Sequence, residues 1–123
     1  MIFNSYSDGR VSLGGISLVS CGHIFASPNR EIYRPNGRDD WLLFFVAKES
    51  ETFYLDRAVE LPSGSAILFA PGEKQHHIYL GRKIAEFYYV HFKCESLPQG
   101  FSLETSQVYS LPQPTRVISV FEE

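Results

Sequence analysis

The sequence has few of the features that mark secreted, redox-active or membrane proteins. Only two of its 123 residues are cysteine. Cys21 and Cys94 form no Cys-x-x-Cys pair, so we expect two reduced, buried thiols rather than a disulfide or a redox centre. No stretch reaches the roughly 18 consecutive apolar residues of a membrane-spanning helix. Residues 1–10, MIFNSYSDGR, lack the basic start and apolar run of a signal peptide. We therefore expect a cytoplasmic protein without a membrane segment.

Concentrated positive charge and the common catalytic loops are also missing. The chain has 11 Lys and Arg against 14 Asp and Glu, for a formal net charge of −3. Nucleic-acid phosphates are bound by clustered Lys and Arg, so this chain alone is not expected to bind DNA or RNA. Neither a Gly-x-Ser-x-Gly nucleophile elbow nor a Gly-rich phosphate loop is present. The sequence thus predicts no enzyme activity.

What the chain does contain is a high proportion of aromatic residues, 15%, including ten Phe and seven Tyr. Such side chains suit the half-buried surface of a sheet, and helical periodicity is nearly absent. Short apolar or alternating runs predict strands at residues 16–24, 41–47, 52–55, 57–61, 66–70, 76–80 and 84–94. Turn signals separate them: Ser-Pro-Asn at 27–29, Arg-Pro-Asn-Gly at 34–37, Pro-Ser-Gly at 62–64 and Pro-Gly at 71–72. This pattern predicts an all-β sandwich or barrel, and residues 1–123 fit one domain.

The two ends of the chain differ from this pattern. Residues 1–12 are polar and predict a flexible arm, and the barrel is expected to occupy residues 13–111. In residues 113–123 the apolar positions Val117, Ile118, Val120 and Phe121 fit either one stripe of a helix or a last strand. No helix stop signal follows them, so we expect a linker or helix that is cut short.

The histidines are the residues that could form a metal site. There are four of them: His23, His76, His77 and His91. A metal would need several of them together, with Glu31 or Glu86 completing the set. No His-x-His or His-x-x-x-His pair exists, and adjacent residues of a strand point to opposite faces, which separates His76 from His77. We therefore expect no metal, with some histidines facing solvent and others hydrogen-bonded in the core.

A possible ligand cavity is indicated by the strand FYYVHF at residues 87–92. Phe87, Tyr89 and His91 share one face of this strand, and the other face is mostly apolar. Aromatic faces with a few hydrogen-bonding groups hold small polar ligands such as sugars. A tightly packed aromatic core would give the same pattern. Arg34, which Pro35 biases toward an extended conformation, likewise fits either a solvated charge or a fork-shaped donor to ligand oxygens.

The order of these motifs resembles the AraC-type transcriptional regulators. Residues 38–46, RDDWLLFFV, look like the first barrel hairpin of that family. Residues 61–72, LPSGSAILFAPG, resemble its L-x-x-G-x-x-x-L-x-x-P-x segment, which is also the second cupin motif. Residues 75–79, QHHIY, and 88–92, YYVHF, look like its His/Tyr-rich strand and its Y-W-V-H-F strand. The resemblance covers roughly residues 15–95.

The resemblance implies the effector-binding half of such a regulator. Its fold is expected to be a cupin-like double-stranded β-helix, a jelly-roll barrel that holds a small molecule, with a sugar as the expected effector, beneath the N-terminal arm. Dimerising helices and a DNA-reading domain follow in that family, so DNA binding and a homodimer are expected only of a longer protein. No cofactor is implied. The implied ligand-binding positions are Arg34, Phe44, His76, His77, Tyr79, Phe87, Tyr89 and His91. Arg34 matches a sugar-binding arginine of the family, and Tyr89 matches a ring that stacks on the sugar.

Departures from the family pattern leave alternatives open. Phe87 stands where the family's arabinose-binding site has a polar contact, which argues against arabinose. The loop before residues 76–79 is about one residue longer, so the sequence does not decide which of His76, His77 and Tyr79 face inward. The histidine-rich first motif of enzymatic cupins would fall in residues 42–53, which contain no histidine. One alternative is a stand-alone metal-dependent cupin enzyme, an isomerase or dioxygenase with His23, His77 and His91 as ligands. The other is a barrel that is packed throughout and binds no effector.

Overall fold

The chain forms an all-β structure. The computed structural model describes residues 3–6, 12–13, 16–94 and 105–110, with residues 3–6 and 12–13 described by their backbone alone. Its strands are β1 (Phe3–Tyr6), β2 (Ser12–Leu13), β3 (Ile16–Ala26), β4 (Glu31–Arg34), β5 (Trp41–Lys48), β6 (Ser50–Tyr54), β7 (Ala58–Pro62), β8 (Ser65–Phe69), β9 (Gln75–Ile78), β10 (Ala85–Lys93) and β11 (Val108–Ser110). These described ranges contain no helix, and hence none that could cross a membrane.

The strands assemble into two antiparallel sheets. The larger sheet has the order β1-β3-β10-β5-β8-β11, with β2 also paired to β3. The smaller sheet has the order β4-β9-β6-β7. Strands that are distant in sequence lie side by side, such as β3 with β10 and β4 with β9. The residues that share an interior therefore come from many parts of the chain.

Aromatic side chains fill much of the space between the sheets. The ring centroids of Phe44 and Phe53 lie 5.5 Å apart, those of Phe44 and Phe87 5.1 Å apart, and those of Phe53 and Phe69 5.9 Å apart. All four side chains are buried. Burying each stabilises the fold by roughly 1.5–3 kcal/mol relative to exposure. Phe44 also lines the cavity described below, so the packed core and the cavity adjoin.

The outer face of the larger sheet has a buried cluster of its own. Phe45 and Tyr88 are each 1% exposed and pack with Ala66 on the side opposite Phe44 and Phe87. The continuous apolar run at residues 41–47 is thus covered on both faces at its centre, as a buried strand requires.

The seven predicted strands all occur, with ends that differ by at most two residues. The turns also follow the sequence signals: Gly37 has φ 65°, which glycine adopts without strain, and its N–H donates to the Arg34 carbonyl at 3.1 Å. β4 was not predicted, because its residues EIYR lack an apolar run. Within the predicted arm, β1 pairs along β3. Residues 113–123 lie outside the described residues.

Candidate functional site

A cavity of about 240 Å³ lies inside the barrel. Its lining residues are Ser20, Ile24, Arg30, Ile32, Arg34, Arg38, Leu42, Phe44, His77, Tyr89 and His91. The volume equals that of roughly eight water molecules, below the roughly 300–1,000 Å³ of pockets for drug-sized ligands. The mixture of one apolar wall with several hydrogen-bonding groups suits a small polar molecule.

Strand alternation around β4 supplies two of the cationic groups. Arg30, Ile32 and Arg34 are spaced two residues apart and all line the cavity. Glu31 and Tyr33, which lie between them, are exposed on the outside of the barrel. This alternation follows from the two-residue period of a strand. Arg34 of β4 and Arg30, directly before it, are therefore both turned toward the interior.

A third arginine belongs to a hydrogen-bonded network at the cavity. Arg38 donates from Nε and Nη2 to the two carboxylate oxygens of Asp40, at 2.9 Å each. His91 Nδ1 lies 3.2 Å from Asp40 Oδ1. Burial alone would raise the pKa of Asp40, but the hydrogen bond from Arg38 and the nearby charges of His91 and Arg38 keep that pKa below its ordinary value. Burial and the charge of Arg38 lower the pKa of His91. Asp40 is therefore an ionised group that lies within hydrogen-bonding distance of the His91 imidazole and orients it.

Arg34 and Arg30 lack such a carboxylate partner among the described residues. Arg34 Nη1 donates to the side-chain oxygen of Gln75 at 2.8 Å. Burial, together with the charges of Arg38 and Arg30, lowers the pKa of Arg34. Arg30 Nη1 is buried and has no hydrogen-bond partner in the described part of the chain. Both guanidinium groups can serve as donors to a ligand.

His77 enters the cavity as half of a buried pair. Its Nδ1 lies 2.6 Å from Glu51 Oε2, and its ring stacks on Phe53 at a centroid distance of 4.5 Å. Burial raises the pKa of Glu51 to about 8, and burial with the charge of Arg30 lowers the pKa of His77 to about 3. At neutral pH the pair is predominantly uncharged: the imidazole is neutral and the carboxyl group keeps its proton.

Tyr89 owes its position to a glycine on the neighbouring strand. Tyr89 of β10 is paired with Gly22 of β3. A Cβ atom at Gly22 would overlap the Tyr89 ring, so only glycine leaves room for the ring to lie across β3. The ring centroid of Tyr89 is 5.3 Å from that of His91. The phenol and the imidazole therefore form one corner of the cavity.

Five of the eight candidate ligand-binding residues line this cavity together: Arg34, Phe44, His77, Tyr89 and His91. The other three do not. His76 points outward, where its Nε2 lies 2.7 Å from Glu31 Oε2. Tyr79 and Phe87 are fully buried in the packed core, and the Tyr79 hydroxyl donates to the Lys83 carbonyl at 2.5 Å. His77 and Tyr79 thus face inward while His76 faces outward, because neighbouring strand residues alternate.

The structure does not bring together the histidines of the metal-enzyme alternative. His23 lies on the outer face, where its Nε2 is 2.7 Å from Glu86 Oε1 and its ring stacks on Tyr88 at 4.1 Å. His77 and His91 line the cavity instead. Over the described ranges, no three His, Cys, Asp or Glu side chains are grouped as a metal ion would require.

Sequence reasoning missed several residues of the site. Arg30 and Arg38 line the cavity, while Asp40 and Glu51 orient its two histidines. The alternation in Arg30-Glu31-Ile32-Tyr33-Arg34 was a usable signal, since it places both arginines on the face of Ile32. Nothing local links Asp40 to His91, which lie 51 positions apart in the chain.

Comparison with known proteins supports the architecture. A scan against protein families finds none that matches the chain, and a search of curated sequences also finds no match. Solved structures do match, and they include cupin domains and a protein described as having a double-stranded β-helix. The fold is that of a cupin. The expected cupin-like fold is thereby confirmed.

Three of these structures show the range of proteins that share this cupin fold. YhaK from Escherichia coli has 17% identity and a TM-score of 0.68 over 91% of this chain and 52% of its own. The cupin domain of an XRE-family transcriptional regulator from Enterobacter cloacae has 10% identity and a TM-score of 0.54, and the match covers 73% of this chain and 93% of that domain's chain. The polyketide cyclase RemF from Streptomyces resistomycificus has 18% identity and a TM-score of 0.53, and the match covers 79% of this chain and 72% of the RemF chain. This chain spans about half the length of YhaK.

Proposed function

We propose that this chain is the effector-binding domain of an AraC-type transcription regulator, and that its cupin barrel holds a sugar. The observation that carries the proposal is that Arg34 and Tyr89 line the same cavity. The family resemblance assigns these two positions to sugar hydrogen bonding and sugar stacking. An Arg34 side chain directed into solvent, away from Tyr89, would have removed this support.

The chemistry of the cavity suits a sugar in three respects. The Tyr89 ring offers an aromatic face for the apolar C–H side of a pyranose. Arg34, His77 and His91 offer hydrogen-bonding groups to hydroxyls. The volume of about 240 Å³ favours a monosaccharide over a disaccharide. Ile24 and Leu42 complete an apolar wall that excludes water from part of the ligand.

A role in regulation is supported by the occurrence of a cupin domain in the XRE-family regulator. A sensing domain acts by population shift, because a ligand that contacts one arrangement of the protein more favourably than another changes their ratio. DNA contact would then be made by a separate basic domain, in keeping with the net charge of −3 on this chain.

Thermal unfolding against a panel of monosaccharides tests the proposal. A ligand at about a hundred times its dissociation constant adds roughly 2.7 kcal/mol of stability, which raises the unfolding temperature by on the order of 10 °C for a domain of this size. Tyr89→Ala is expected to abolish the shift. His76→Ala removes an aromatic group outside the cavity and is expected to retain it. A panel without any shift, or an equal shift in the Tyr89 variant, would contradict the proposal.

An enzyme is a second candidate, because the His91–Asp40 pair has the arrangement of a general base oriented by a carboxylate. The similarity in fold to a polyketide cyclase is compatible with it. The two candidates differ in the fate of the ligand. Incubation in D₂O followed by proton NMR should leave the ligand unchanged if the domain only binds. Proton exchange or a new product, lost in His91→Asn, would favour the enzyme.

A further inference from the structure

The charges that line the cavity are unbalanced. Arg30, Arg34 and Arg38 line it, and the described lining residues include no Asp or Glu. Arg38 is neutralised by the carboxylate of Asp40. Arg34 is bonded to the neutral amide of Gln75. No carboxylate of the described residues forms an ion pair with Arg30 or Arg34. Two guanidinium groups at the cavity therefore lack an ion-pair partner among the described residues, and the nearby charge of Asp40, which is paired with Arg38, does not prevent burial from lowering the pKa of Arg34.

Glu51 does not supply the missing negative charge at neutral pH. It is buried and hydrogen-bonded to His77. The charge of Arg30 lowers its pKa, but burial outweighs this effect and raises the pKa to about 8. The carboxyl group thus stays mostly protonated, and the imidazole of His77 stays neutral. The positive charge of Arg30 and Arg34 remains.

This arrangement costs stability in the absence of a ligand. Arg30 Nη1 is a buried donor without a hydrogen-bond partner in the described ranges, and such donors are costly to leave unpaired. Arg34 shares the cavity with two like charges. Proteins retain such uncompensated groups at sites where function requires them. The group that compensates them must accept hydrogen bonds and carry negative charge.

We propose that the effector carries an anionic group, a carboxylate or a phosphate, that binds to Arg30 and Arg34 while the rest of the molecule stacks on Tyr89. The planar guanidinium fork matches the paired oxygens of both anions. Sugar acids and sugar phosphates combine such a group with hydroxyls. The inference rests on the proposed function, since it requires the barrel cavity to be the ligand site.

Matched pairs of neutral and anionic sugars provide the first test. The unfolding temperature is measured with galactose against galacturonate, glucose against gluconate, and glucose against glucose 6-phosphate, at equal concentration and ionic strength. The anionic member of at least one pair should give the larger shift, about 5 °C at ten times its dissociation constant. If neutral sugars bind as well as or better than their anionic partners, the inference is overturned and the proposed function stands.

Inorganic phosphate provides a second test that does not depend on the sugar. It is titrated against chloride at constant ionic strength, with wild type, Arg30→Met, Arg30→Lys and the exposed control Arg82→Met. Wild type and the control should show the same saturable rise in unfolding temperature. Arg30→Met should lose most of it, and Arg30→Lys, which keeps the charge without the fork, should retain part. General effects of phosphate on hydration are common to all variants and cancel in the comparison.

The two tests separate the two claims. A phosphate effect that depends on Arg30, together with no shift from any sugar, would support the anion site and contradict sugar sensing. If both Arg30 variants follow the wild-type phosphate curve, or if wild type shows no saturable rise, the anion site is overturned. Arg30→Met removes an unpartnered donor and so leaves no other buried group unpaired, and Arg30→Lys gives a second, more conservative variant.

Discussion

Two buried titratable side chains, His77 and Glu51, meet inside the barrel and form the part of the site most sensitive to pH. Each is almost fully buried, and each is more stable in its neutral form. Their pKa values move in opposite directions because desolvation penalises the charged form of an acid and of a base alike. The consequences for stability depend on which protonation states the unfolded chain adopts.

The sign of the pH dependence follows from counting protons. Between about pH 4.5 and 6.5 unfolded Glu51 has lost a proton that the folded state keeps, while unfolded His77 has gained one that the folded state lacks. The two effects cancel, so the pair contributes no slope. From about pH 6.5 to 8 only the Glu51 difference remains, and stability falls as pH rises. Below about pH 4.5 only the His77 difference remains, and stability falls as pH falls to about 3.

Glu51→Gln should remove the decline at higher pH. The amide cannot ionise, so the loss of up to about 2 kcal/mol between pH 6.5 and 8 should be absent from the variant. Urea unfolding of wild type and variant across this range measures the difference. Glu60→Gln, at an exposed position of β7, is the control and should follow wild type. An equal slope in wild type and Glu51→Gln would contradict the assignment of this titration to Glu51.

At the scale of strands, the site depends on alternation and on pairing across the sheets. Arg30, just before β4, and Arg34, in β4, both face inward because they are an even number of residues apart. Tyr89 and His91 of β10 face inward for the same reason. These faces could be predicted from sequence. The room for Tyr89 could not, because it comes from Gly22 on β3, and this pairing joins residues far apart in the chain.

Gly22→Ala should weaken ligand binding by displacing the Tyr89 ring. The added methyl group overlaps the ring, which costs roughly 1–3 kcal/mol of stability, and the lost stacking should reduce affinity by about tenfold. Titration calorimetry below the unfolding temperature measures the affinity.

Gly81→Ala is a matched control for this change. A Cβ atom at Gly81 would overlap the ring of Tyr79, which lies in the core and does not line the cavity. We expect it to lower stability similarly and leave affinity unchanged. An equal loss of affinity in both variants would show that general destabilisation, and not the position of Tyr89, controls binding.

At the scale of the whole molecule, the sequence predicted the fold better than the site. Apolar and alternating runs located seven strands, and Pro and Gly located the turns between them, because both signals are local. The pairing of those strands could be predicted only from the family resemblance. The Asp40–His91 and Glu51–His77 pairs arise only when distant strands meet. The shared face of Arg30 and Arg34 could be predicted from alternation, but the lack of a partner for Arg30 Nη1 among the described residues could not.

The four histidines allow the central claim, that a ligand occupies the barrel cavity, to be tested by one measurement. His77 and His91 line the cavity, whereas His23 and His76 lie outside it on hydrogen bonds to Glu86 and Glu31. The measurement is a ¹H–¹³C NMR titration of the histidine rings at constant pH, using the sugar or sugar acid that gives the largest thermal shift. Our account predicts that the His77 and His91 signals move with saturation while those of His23 and His76 stay in place. Signals that move only for His23 or His76, or four unchanged signals, would contradict it.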